Sequence, residues 1–214
     1  MSKGFALDLI ALVPGKDERE TIDGLLSKRS GSLGICRINF QILVHPRRDP
    51  GCYNEAQDIL QPYTNRAAYA LVIFDHEGSG QEERSADDLA SDLKGRLSRS
   101  GWGDRVQVLV IEPELEVWVW SDSPQVDVSL GWSKHSTNLR TWLSNKGFWP
   151  DKSQKPPRPK ECLLEALREV RVRRSAAIYR QLAESVGLER CQDPEFNKLK
   201  GILRSWFSIG KDYV

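Results

Sequence analysis

A mostly parallel α/β sheet is the fold class this sequence predicts, and three observations predict it. Apolar runs of strand length alternate with segments of helical periodicity. Two of the runs are apolar almost without interruption, as strands buried on both faces are. Three of the four runs stop abruptly, at Pro14, Asp75 and Glu112.

Phe5 to Val13 is the first such run, closed by Pro14-Gly15. Asp17-Glu18-Arg19-Glu20 follows, with Ile22, Leu25 and Leu26 at helical spacing, which places Asp17 as N-cap and Glu20 as its capping-box partner. The turn-rich stretch from Ser30 to Gly34 leads to a second strand, Cys36 to Val44, and a short helix over Asn54 to Leu60. Tyr69 to Phe74 is the clearest strand and breaks off into Asp75-His76-Glu77-Gly78-Ser79-Gly80. Glu82 to Ser98 reads as a polar-faced helix, with Leu89, Leu93 and Leu97 at every fourth position. Arg105 to Ile111 alternates Val106, Val108 and Val110, and runs into Glu112-Pro113-Glu114-Leu115-Glu116-Val117-Trp118, where Pro113 suits the first turn of a short helix.

After Asp122 the pattern changes. Trp132, Trp142, Phe148 and Trp149 lie in a turn-rich connection, and Lys155 to Lys160 reads as extended. Helices are expected over Glu161 to Val170, Ser175 to Val186 and Pro194 to Trp206, the last with Asp193 as N-cap and Pro194 in its first turn. The chain is thus expected to divide into an α/β core over residues 1–125 and a basic, Trp-rich helical extension over 126–214 packed on it.

Composition narrows the function classes. A chain of 214 residues, 39% hydrophobic and 29% charged, has enough apolar side chains for one sizeable core. With 31 Lys+Arg against 30 Asp+Glu, net charge selects no partner. Its distribution is uneven, however. Asp75, Glu77, Glu82, Glu83, Asp87, Asp88 and Asp92 crowd one segment with Arg84 alone against them, and Lys146 to Arg180 holds ten bases and four acids. An acidic stretch and a basic one suit a metal and the phosphates it acts upon, or else two solvated faces. Cys36, Cys52, Cys162 and Cys191 form no CxxC pair and have no His at ligand spacing, so free thiols in a reducing compartment are expected rather than zinc or disulfides. The amino-terminal run is too short for a membrane span, and the protein is expected to be cytoplasmic with no membrane partner. No Gly-Lys-Ser/Thr follows Gly78 and Gly80, and no Gly-x-Ser-x-Gly elbow is present, which excludes a P-loop and an acyl-transfer nucleophile of that type.

In a parallel sheet, ligands sit at the carboxyl ends of the strands. Asp75 and Glu77 at one strand end, with Glu112 at another and Glu116 one helical turn beyond it, would repel each other unless a cation or protons are bound. Hard divalent cations take oxygen ligands and keep several waters, so two or three carboxylates suffice. Solvated loop acids are the alternative account of these residues. His76 sits between two of them, as a phosphate or metal contact or as a solvent-facing residue; His45 and His135 have no acidic or cysteine partners nearby in sequence and receive no role. Lys155, Arg158, Lys160, Arg171, Arg173 and Arg174 are the candidate phosphate-contacting set, with a solvated helix face as the competing reading. Trp132, Trp142 and Trp149 suit either base stacking or clamping the extension onto the sheet.

Phe74-Asp75-His76-Glu77-Gly78-Ser79-Gly80 resembles the DxD-type strand end of Toprim domains, found in topoisomerases, bacterial primases and OLD-type nucleases. Glu112 to Trp118 is similar to the glutamate-Trp signature of small Toprim-like proteins encoded beside restriction and abortive-infection genes, and Pro159 to Leu163 with Cys191 to Phe196 resembles their Lys-rich helical tail. The resemblance implies a Toprim-like fold and Mg²⁺- or Mn²⁺-dependent phosphodiester cleavage of DNA or RNA, within an antiviral defence system that includes partner proteins. It implies Asp75 and Glu77 as catalytic metal ligands, with Glu112 or Glu116 completing the shell. One departure stands out. Toprim domains carry an acid/base glutamate in a Glu-Gly pair after the first strand, and here the pair reads Pro14-Gly15. Glu18 matches a secondary acidic position and is the candidate replacement. The alternative function is a catalytically degenerate subunit that binds nucleic acid or partner proteins.

Overall fold

The computed structural model describes residues 4–150 and 152–209. Four strands, β1 (Leu7–Val13), β2 (Phe40–Val44), β3 (Ala67–Asp75) and β4 (Val106–Ile111), form one sheet of order β2-β1-β3-β4 in which every pairing is parallel. The nine α-helices among the described residues are α1 (Lys16–Lys28), α2 (Ser30–Leu33), α3 (Arg48–Leu60), α4 (Ala86–Leu97), α5 (Pro124–Ser129), α6 (Leu139–Asn145), α7 (Pro159–Glu169), α8 (Ala176–Ser185) and α9 (Pro194–Phe207). The expected α/β class with a parallel sheet flanked by helices is the class observed. No helix among the described residues is long and apolar enough to cross a membrane.

Side chains alternate faces along each strand, and the two faces feed separate cores. Leu9, Val13, Leu71, Ile73, Leu109 and Ile111 pack with α1 and the carboxyl-terminal helices. Ile10, Leu12, Val72, Phe74, Val108 and Val110 pack with α3 and α4 through Cys52, Ala56, Leu89 and Leu93. Because both faces are covered, β1 and β3 read as nearly continuous apolar runs, interrupted by Asp8 and closed by Asp75. The chain leaves β1 in one direction to reach β2 and in the other to reach β3, so the topology reverses between β1 and β3.

The carboxyl-terminal helices join the first of these cores. Leu199, Leu203 and Phe207 of α9 and Ile178, Tyr179 and Leu182 of α8 are buried in it. Helix α8 lies against α1, and at Gly24 an added methyl group would stand 3.1 Å from Ala183 Cβ and 3.2 Å from the Arg180 carbonyl. Arg180 ties the same two helices electrostatically, donating to Glu20 and Asp23 of α1 and to Glu184 of its own helix. Trp132 and Trp149 are buried, and Trp149 meets Trp120 edge-on with centroids 5.4 Å apart. These rings are core, and their faces are not open to bases. The four cysteines stand free.

Several local expectations are corrected. Helix α1 starts one residue before Asp17, its N-cap is Gly15 without a side-chain cap, and Glu20 pairs with Arg180 rather than closing a capping box. Pro113 precedes the turn it was expected to open: Glu114 is the N-cap of the 3₁₀ turn Leu115–Trp118, and the Glu112-Pro113 peptide is cis. Strand β2 begins at Phe40 rather than Cys36, because the Cys36 N–H bonds to the Phe207 carbonyl instead of a strand neighbour. Helix α3 begins at Arg48, six residues before Asn54, since Pro50 falls within its first turn, where a missing N–H costs nothing. Helix α4 starts at Ala86, capped by Ser85, while Glu82 accepts the N–H groups of Gly78 and Gly80. Both glycines have positive φ, which this loop requires.

Candidate active site at the carboxyl edge of the sheet

Strand registry sets the site. Val13 pairs with Val44 and Leu12 with Val72, so β3 continues three residues beyond the level of Leu12 before ending at Asp75. That brings Asp75 beside the start of α1, at the point where the sheet reverses direction and a parallel sheet opens a crevice. A cleft of about 540 Å³ lies there, lined by the Pro14–Glu18 segment, His45, Arg48, Asp49, Asp75, Glu116, Lys160 and Arg174.

Its floor is acidic. Asp75 is buried, Oδ1 accepts the Leu115 N–H at 3.0 Å, and its own N–H donates to Asp49 Oδ1 at 2.9 Å. Burial raises the Asp75 carboxyl well above the usual carboxylate range, and the charges of Glu18, Asp49 and Glu116 add to the effect. Glu18 is buried too. An added methyl group on Gly15 would stand only 2.6 Å from Glu18 Oε2, so the glycine is what lets this carboxylate fold back over the end of β1. Burial pushes its carboxyl from 4.5 to about 7, with Asp49, Asp17 and Glu116 adding to the shift against its own backbone N–H. Asp49 is raised by burial and eased by the Asp75 N–H.

The remaining acids meet cations. Arg174 Nη2 donates to Asp17 Oδ2 at 2.6 Å and to Glu116 Oε1 at 3.0 Å, while its Nε donates to the Tyr179 hydroxyl at 2.9 Å. Tyr179 in turn donates to Glu116 Oε1 at 2.6 Å. Burial first, and then Glu116, raise the Tyr179 hydroxyl, keeping it a donor. Lys160 takes Glu114 on both its backbone N–H and its ammonium, each at 2.9 Å. Burial works against the Lys160 charge, but Glu114, Glu116 and Asp75 outweigh it and hold the ammonium above its ordinary range.

Of the residues singled out in the sequence, Glu18, Asp75, Glu116, Lys160 and Arg174 converge on this cleft. Glu77 and Glu112 do not: both are exposed and lie outside the cleft lining. The Glu77 N–H is bound to the Pro113 carbonyl, and Glu112 faces the start of α9, where its charge is felt by Glu195 and Lys198. His76 bonds the Arg84 carbonyl through its ring at 2.7 Å. His45 lines the cleft, is buried, and accepts the Arg47 N–H. Among the basic residues, Lys155 turns inward and donates to the Val117 carbonyl at 2.7 Å, Arg158 pairs with Glu161, and Arg171 and Arg173 are exposed. Sequence reasoning missed Asp49 and Tyr179. The signal for Asp49 was an acid followed by proline shortly after a strand.

The donors on the floor are carboxylate oxygens without sulfur, which is the chemistry of hard divalent cations. Among the described residues no three His, Cys, Asp or Glu side chains close around one point, and a hydrated ion needs no more than two carboxylates from the protein. Asp75 and Glu116 both line the cleft, and the charge of Glu116 acts on the Asp75 carboxyl.

No protein-family model matches the chain, and no curated protein matches it. Among solved structures the chain is similar to the C-terminal region of the Burkholderia pseudomallei OLD protein, at 13% identity and a TM-score of 0.46, over 94% of this chain and 98% of that one.

Proposed function

We propose that the cleft hydrolyses phosphodiester bonds in nucleic acid with a divalent cation, Mg²⁺ or Mn²⁺, as cofactor. The observation that carries this reading is a floor of buried carboxylates, Glu18 and Asp75 with Glu116 and Asp49, rimmed by the cations Lys160 and Arg174 at the reversal point of a parallel sheet. Acids so buried and so close favour a bound cation or bound protons, and basic side chains at the rim suit an anionic substrate. When bound, the cation would activate water and neutralise charge on the phosphate. Glu18, with a carboxyl near 7, is suited to exchange a proton at neutral pH. Lys160 and Arg48 at the rim are suited to hold phosphate oxygens, with Arg171 and Arg173 extending the basic surface outward. The resemblance of the Asp75 and Glu116 segments to Toprim-like proteins supports a place in antiviral defence.

One observation favours a second reading, that of a binding subunit without turnover. Pro14 stands where Toprim-like proteins carry glutamate, so a Glu18 carboxylate reaching back over Gly15 must do that residue's work. The test is calorimetric titration with Mn²⁺ followed by cleavage assays on single- and double-stranded DNA and RNA. Millimolar or tighter Mn²⁺ binding, with cleavage abolished by Asp75→Asn, is expected. Binding without cleavage of any substrate selects the second reading, and absence of Mn²⁺ binding overturns both metal-dependent readings.

A further inference from the structure

Glu116 presents its two carboxylate oxygens to different surroundings. Oε1 accepts from both Tyr179 and Arg174, whereas Oε2 takes no hydrogen bond from any described residue. The residue sits in the 3₁₀ turn Leu115–Trp118 and is 2% exposed, as is Tyr179, so neither side chain has room to rearrange. Two donors on one oxygen fix the rotation of the carboxylate plane. Both donors come from the carboxyl-terminal part of the chain, 58 and 63 residues away in sequence.

The Tyr179 hydroxyl is not needed to dock α8. Arg180 already bonds Glu20 and Asp23 of α1, Gly24 brings the two helices into contact, and the Tyr179 ring is packed within the core. What the hydroxyl adds is a bond to Glu116 and an anchor for Arg174, the second donor on the same Glu116 oxygen. Carboxylates that hold metals are themselves commonly oriented by a hydrogen bond on the oxygen turned away from the ion, and loss of such a partner typically costs about 10- to 100-fold in metal affinity.

We infer that Tyr179 and Arg174 are positioning residues for a divalent cation: by occupying Oε1 of Glu116 they leave Oε2 as the oxygen available to an ion, and the carboxyl-terminal part of the chain thereby completes a site whose ligands lie at and just beyond the strand ends. The inference rests on the cation reading of the cleft. Its consequence is that cation affinity reports on the seating of α8, which a reading of the sheet's strand ends alone would not include.

The experiment is Mn²⁺ titration of the full chain, followed by the electron paramagnetic resonance signal of free Mn²⁺, with thermal unfolding in EDTA measured in parallel. Tyr179→Phe keeps the ring and removes the hydroxyl, both the donor to Glu116 and the acceptor of the Arg174 Nε–H. Its Mn²⁺ dissociation constant is expected to rise about tenfold or more. A hydroxyl with a merely structural role would lower the EDTA melting temperature and leave the dissociation constant unmoved. Wild type and Tyr179→Phe binding Mn²⁺ equally would overturn the inference while leaving the cation reading intact. A wild type that binds no Mn²⁺ would overturn the cation reading, and the inference with it. Should Tyr179→Phe fail to fold, Arg174→Lys removes the forked donor but keeps the charge; the same weakening is expected, and an unchanged constant is the contrary result.

Discussion

The backbone N–H of Asp75 donates to Asp49 Oδ1 at 2.9 Å, joining the last residue of β3 to the first turn of α3. Two acids are thereby held together in one cleft by a hydrogen bond that needs neither side chain to be charged. The bond separates what the Asp49 side chain does as an acceptor from what it does as a charge.

Asp49→Asn keeps an oxygen for the Asp75 N–H and removes a negative charge, whereas Asp49→Ala leaves the N–H without a partner. An unpaired buried donor costs about 1–3 kcal/mol. In EDTA, Asp49→Ala is expected to be less stable than Asp49→Asn by about that amount in urea denaturation. Equal stability of the two variants would show that the hydrogen bond contributes nothing.

Glu18 supplies a pH test whose sign is fixed by its raised carboxyl. Below pH 4.5 it is protonated in both folded and unfolded chains and contributes no difference. Between pH 4.5 and about 7 the unfolded chain ionises while the folded chain keeps its proton, so stability is lost as pH rises, by at most about 3 kcal/mol at pH 8. Glu18→Gln removes that loss. Without cation, the variant is expected to match wild type at pH 4.5 and to exceed it increasingly up to pH 7, by thermal unfolding. A constant difference across that range would mean that the Glu18 carboxyl titrates normally.

Arg171 and Arg173 are exposed, and no hydrogen bond or ion pair among the described residues involves either side chain. Replacing both with alanine is expected to leave the melting temperature unchanged. If they contact phosphates, nucleic-acid affinity falls and the slope of log K against log salt shrinks by about 2, one for each lost contact. An unchanged slope in a fluorescence anisotropy titration would assign these arginines to a solvated face. Arg174 is left out of this pair because its guanidinium already serves Asp17, Glu116 and Tyr179.

The sequence by itself determined the fold class and the position of Asp75. Unbroken apolar runs such as Tyr69 to Phe74 arise only when both faces of a strand are covered, and the abrupt change to Asp75 marks where that cover ends. Glu18 was named only through the resemblance to Toprim-like proteins, as a secondary acidic position of their pattern. Tertiary structure alone decided the company these acids keep. Alternate positions along an extended chain point to the same face, yet the backbone leaves β3 immediately after Asp75, so Glu77 goes outward and Asp75 stays in the cleft. Asp49 enters because Pro50 fits the first turn of α3, and Tyr179 because α8 packs on α1. Local sequence encodes burial and turn chemistry over a few residues. Which distant side chain reaches a given carboxylate depends on how separate helices seat against one sheet, and no spacing within a single segment carries that information.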